Sequence, residues 1–162
     1  MGLFDALKKK KEPVYVPTTL PEDHGLHKED FRVQGTYYHE AAFKRLQKAN
    51  PAWRDSAKKC IEEGRVAKEI YHYDYVDRPV DLVIEDMNEY ERDAVAVKIA
   101  GEHVGYISSE DRLHVVEILR YGSIKYITAK VWGGEWKAVY LNGEVVKDTA
   151  VMRVNIRIAY SV

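Results

Sequence analysis

Cysteine is almost absent from this chain of 162 residues: Cys60 is the only one. That excludes an intrachain disulfide and a thiolate metal cage, and it fits a reducing, cytoplasmic setting. No apolar run nears the roughly 18 residues that a membrane span requires, and no secretory apolar segment follows Met1. An acylation signal at the opening Met-Gly is spoiled by Ala6, which stands where that motif takes Ser or Thr. The six histidines (His24, His27, His39, His72, His103, His114) show no HxH or HExxH spacing, so no zinc site is expected. There is no GxSxG, phosphate loop or Rossmann fingerprint, and no acid, base and nucleophile set with meaningful spacing. The expectation is a protein that is not an enzyme and needs no cofactor.

Excess charge of one sign is also missing, the net being −1. The sum hides opposed blocks. Residues 41–70 hold eight basic residues against four acids, 71–95 hold eight acids against Arg78 and Arg92, and 120–162 hold seven basic residues against three acids. Apolar residues make up 46% of the chain, enough for a real core.

Residues 1–28 read as an extended basic tail. Lys8 to Lys11 form a lysine run, and Pro13, Pro17 and Pro21 recur every four residues. The run suits a solvated tail, the alternatives being a membrane or phosphate contact or a docking element for a protein partner, and Gly2 to Leu7 form a short amphipathic turn. The remainder, 29–162, reads as one domain. Alternation predicts a strand over Asp30–Tyr38, in which adjacent Tyr37 and Tyr38 face opposite sides and Gly35 marks a bulge. A two-part helical region follows at about 39–63, divided at Asn50-Pro51 (a cap followed by a first helical residue) and closed by Gly64. Beyond it the period turns to two. Strands are predicted at Val66–Tyr75, Pro79–Asp86, Ala94–Ile99, His103–Ser108, Ile124–Trp132, Trp136–Leu141 and Val151–Tyr160. Turns are expected at Ala100-Gly101-Glu102, Gly133-Gly134 and Asn142-Gly143, and a helix runs from a Ser108 capping box to Gly122. This pattern is mainly β with small α insertions. It suits an OB-like antiparallel barrel with a helical insertion after the first strand and one later helix, an α+β sandwich being the alternative.

Two stretches go beyond pattern. Phe31 to Tyr38 carry Val33, Gly35, Tyr37 and Tyr38, and Asn88 to Ile107 carry Tyr90, Asp93, Val97, Gly101, Gly105 and Tyr106. In spacing and residue type they resemble the HIRAN domain, a module of certain DNA-repair helicases and of bacterial proteins, over about residues 31–140. The resemblance implies an OB-like barrel that binds single-stranded DNA, in the helicase members by capturing a free 3′ end. It nominates Tyr37 and Tyr38 to stack on bases or clamp backbone, Tyr90 to stack, Glu91 to hydrogen-bond the terminal hydroxyl, Asn88 as part of the same motif, and Tyr106 on the final strand of the motif. The chain departs from the family at Glu89 (a common proline), Glu91 (a common aspartate), Thr36 (an arginine) and Ser108-Ser109 (lysines).

The residues alone leave more than one reading open. Twelve tyrosines suit stacking on bases of DNA or RNA, and they equally suit strands with one wet edge. Lys130, Trp132, Trp136 and Lys137 could extend a strand-binding groove or form a small core. Cys60 falls on the apolar side of its helix and reads as a buried thiol. The competing reading of the whole chain is a protein-interaction domain on the same scaffold.

Overall fold

The structure is a computed structural model that describes residues 26–75 and 78–162. The lysine run, the three early prolines and the Gly2–Leu7 turn lie outside the described residues. Strand residues dominate, and the described chain divides into two compact units.

The first unit takes the described residues up to Leu46, those from Arg78 to Lys130, and Val154–Val162. Its strands are β1 (His27–Gln34), β5 (Val80–Glu85), β6 (Ala94–Ile99), β7 (Glu102–Ile107) and parts of β8 (Ser123–Val139) and β9 (Val145–Ser161). They neighbour one another in the order β8-β9-β1-β7-β6-β5. From β9 to β5, each strand runs antiparallel to its neighbour. β1 changes partner along its length. His27 to Arg32 pair with Tyr160 to Asn155 of β9, whereas Val33 and Gln34 pair with Ile107 and Tyr106 of β7. Among the described residues no ladder joins β5 back to β8, so hydrogen bonds do not close the sheet.

Patterning explains the packing. β5 alternates strictly, with Val80, Leu82 and Ile84 buried. β6 buries Ala94 to Val97 in succession, as a strand covered on both faces must. One cover is helix α3 (Arg112–Tyr121), whose Val115, Val116, Ile118 and Leu119 recur at helical spacing. The other helix of this unit, α1 (Glu40–Leu46), buries Ala42, Phe43 and Leu46 and packs on β7.

The second unit comprises Gln47–Tyr75 and Val131–Arg153. It holds the short ladder of β2 (Lys48–Ala49) with β4 (Tyr73–Asp74), the pairing of β3 (Ile70–Tyr71) with β8, and helix α2 (Ala57–Glu62). Cys60, Ile70 and Val139 make its small core, with Ala52, Ala57 and Ile61 packed against them. Asn50 caps the 3-10 turn Pro51–Arg54 as its sequence suggests, accepting a hydrogen bond from the Ala52 amide.

Four local expectations are corrected. The first strand starts at His27 and stops at Gln34, because Gly35 takes a left-handed φ of 77° and turns the chain into a 3-10 turn, Thr36–His39. Tyr37 and Tyr38 therefore sit on that turn instead of on opposite faces of a strand, and both are exposed. Gly133-Gly134 is not a hairpin turn, for β8 continues through it, so the two strands expected at Ile124–Trp132 and Trp136–Leu141 are one. Val66–Tyr75 yields only β3 and β4, its early part being interrupted where Ala67 takes a positive φ of 55°. Ser108 bonds the Asp111 carboxylate, not a helix amide, and α3 begins only at Arg112.

Candidate functional site

The first unit contains a cavity of about 680 Å³. Its lining draws on three distant stretches: the end of β1 with the following turn (Gln34, Gly35, Tyr37, Tyr38, His39), the β5–β6 loop (Asn88, Tyr90, Glu91, Ala94), and β7 with the start of α3 (Tyr106, Ile107, Arg112). All six residues nominated by the motif resemblance thus border one space. Trp132, Trp136 and Lys137 belong to the second unit, and neither they nor Lys130 line this cavity.

Gly35 positions the two tyrosines of the first wall. Its left-handed backbone starts the turn, and the Tyr38 amide closes it on the Gly35 carbonyl at 3.2 Å. The rings of Tyr37 and Tyr38 lie 4.0 Å apart, centre to centre, and are 61% and 74% exposed. A hydrogen bond with Tyr38 holds the Tyr37 hydroxyl above its ordinary pKa.

The second wall is a loop shaped by Asn88. Its Oδ1 accepts from the Tyr90 and Glu91 amides at 2.9 and 3.0 Å, an Asx-type turn, while Nδ2 donates to Glu85 Oε1 at 2.8 Å. Tyr90 is thrust outward and is 91% exposed. Beneath the loop, the Tyr106 hydroxyl donates to the same Glu85 oxygen at 3.0 Å. Burial, and then that carboxylate, raise the Tyr106 pKa, so this tyrosine stays protonated and serves as a fixed part of the floor.

Several contributors escaped the sequence reading. Ser109 donates to Glu91 Oε2 at 2.8 Å and is bridged in both directions by the Gln34 amide group at 3.3 Å. Arg112 forms an ion pair with Glu91 and donates to the Arg92 carbonyl at 2.6 Å. His39 packs on His103 with ring centres 4.4 Å apart, and burial, followed by the charge of His103, lowers its pKa. His103 is fixed in turn, its Nε2–H donating to the Gly105 carbonyl at 2.9 Å. Arg112 could have been suspected from its place in the first turn of the helix just after Tyr106 and Ile107. The others carry no signal without the pairing of β1 with β7.

Neither a protein-family model, nor a curated protein, nor a solved structure matches the chain. The resemblance therefore rests on the motif residues quoted for it.

In charge the cavity differs from the positive groove that strand binding suggests. Glu91 and Arg112 are the fully charged residues among its described lining, and they neutralise one another. Chemically the site offers exposed aromatic faces, amide groups at Gln34 and Asn88, and one carboxylate that already accepts two partners. An ionised carboxylate has about four lone-pair positions, so Glu91 retains room for a further donor.

In the second unit Lys137 is spent on structure. Its Nζ donates to the Trp53 and Asp55 carbonyls at 2.6 and 3.1 Å and lies 5.4 Å from the Trp53 ring centre. Trp53 stacks on His72, and His72 on Tyr73, so these ring faces are already occupied from within the unit. Trp132 and Trp136 are half-buried in β8. Among the described residues no cluster of His, Cys, Asp or Glu could hold a metal ion, and no helix is long and apolar enough to cross a membrane.

Proposed function

We propose that this cavity binds the free end of a single-stranded nucleic acid, DNA before RNA, and that the chain is a binding module without chemistry of its own, of the HIRAN kind. The observation that carries this reading is the meeting of Tyr37, Tyr38 and Tyr90, three exposed rings from remote parts of the chain, around Asn88 and Glu91. Aromatic faces hold successive bases at about 1–3 kcal/mol each, whatever the sequence. Glu91 accepts the terminal sugar hydroxyl, and Asn88 fixes the loop from which both Tyr90 and Glu91 project. On the same reading the sheet is an open, strongly coiled relative of the OB barrel, with β1 as the strand that passes from one neighbour to another.

The test is the binding of short labelled oligonucleotides. A free 3′ hydroxyl should bind better than a 3′ phosphate, which brings no hydroxyl proton to Glu91. Tyr90→Ala should weaken binding by about 1–3 kcal/mol. Equal affinity for both ends would remove the end-capture part and leave strand stacking. A second reading is favoured by the neutral lining and by Met87, which stands 91% exposed on the same loop as Tyr90: a protein-docking face on the same scaffold. No oligonucleotide binding even at low salt would select it.

A further inference from the structure

The charge at the cavity is concentrated in one chain of side chains. Gln34 holds Ser109, Ser109 donates to one oxygen of Glu91, and the other oxygen of Glu91 pairs with Arg112. Glu91 is thereby fixed on one side by a hydroxyl and on the other by a guanidinium. Arg112 is fixed as well, since its second bond goes to the backbone carbonyl of Arg92. A guanidinium carries five N–H donors in a planar fork, and these two partners leave a terminal NH₂ group unused. Arg112 also lines the cavity. Among the described lining it is the permanently charged cation, because the other basic side chain there, His39, is held toward its neutral form by burial.

We propose that Arg112 is the phosphate-contacting residue of the site, that Ser109 positions it by holding Glu91, and that the cavity therefore grips a strand end through one phosphate. The inference rests on the strand-end reading above. A guanidinium held at Nε and Nη1 points its remaining Nη2 donors in a fixed direction, which suits an oxygen of a single phosphodiester. A second phosphate would find no further permanent cation among the described lining residues.

Salt dependence tests this, because each phosphate neutralised on a single strand steepens the fall of log affinity with log salt by about 0.7. With the full chain and a short fluorescent oligothymidylate, the expected slope is about −0.7. Arg112→Ala should bring the slope close to zero and weaken binding roughly tenfold at low salt. Arg112→Lys should keep the slope. Arg112→Gln, which retains a donor toward Glu91, replaces the alanine variant if thermal melting shows that one unfolded. Ser109→Ala should weaken binding with the slope retained, as a positioning role requires. Arg157→Gln, which removes a surface arginine paired with Asp30, should leave the slope unchanged. A wild-type slope of several units, or an Arg112→Ala slope equal to wild type, overturns the assignment while the stacking reading stands. No binding under any salt condition overturns both.

Discussion

Gly105 shows how closely the site's framework is packed. It lies in β7 with φ of 152°, and a Cβ there would sit 2.6 Å from the Gln34 carbonyl oxygen and 2.7 Å from a Val33 methyl. Neither neighbour can yield without opening the β1–β7 pairing on which the Gln34 and Tyr106 walls depend. Gly105→Ala is therefore expected to cost roughly 1–3 kcal/mol of stability, measured by denaturant unfolding. The opposite case is Ala100. With Gly101 it makes the two-residue turn between β6 and β7, and it bears a positive φ of 48° that Asn tolerates far better. Ala100→Asn should raise the unfolding midpoint by the equivalent of about 0.5–1 kcal/mol. At the cavity, Asn88→Ala would release the Tyr90 and Glu91 amides together, and oligonucleotide affinity should fall with little change in melting temperature.

At the scale of elements, the legible parts are those governed by local chemistry. Ala94–Ile99 has the bounds its alternation predicts, α3 stops at Gly122, and Asn50 is a cap as expected. It opens only the 3-10 turn Pro51–Arg54, however: Lys48–Ala49 is a strand, and the second helix forms from Ala57 behind a new cap at Ser56. The lost parts depend on neighbours distant in sequence. Gly133 resembles a turn residue, yet a Cβ there would meet the Val151 carbonyl at 2.6 Å, so glycine is present for close approach within a continuous strand. The same holds at the site. Six of its lining residues are nominated by the motif resemblance, whereas Gln34 and Ser109 gain meaning only when β1 is laid beside β7. Lys137 illustrates the reverse, since its basic and aromatic surroundings suggest a ligand groove while its ammonium secures the backbone of Trp53 and Asp55. Lys137→Ala should lower stability by about 1–2 kcal/mol and leave oligonucleotide affinity unchanged; a loss of affinity at constant stability would restore the groove reading.

For the whole molecule, titration should mark the margins of stability. Glu29 is held below its ordinary 4.5 chiefly by the Tyr160 hydroxyl, and Asp30 below 3.8 chiefly by Arg157. Their contributions are present above those ordinary values and are lost as acid carries the pH down through the depressed ones. Tyr160 behaves in the opposite sense, its pKa pushed up to about 12 from 10.0 by its bond to Glu29. Its contribution is intact below pH 10 and disappears between there and about 12. Denaturation followed across pH should show both flanks, and Tyr160→Phe should flatten the alkaline one.

The bond between Tyr160 and Glu29 spans 131 positions, and the ladder that contains it joins His27 to Arg32 with Asn155 to Tyr160. A ribosome must therefore extend the chain by 131 positions beyond Glu29 before β1, the first strand among the described residues, meets its mate. Until then one margin of that strand waits open, available to chaperones or to neighbouring nascent chains.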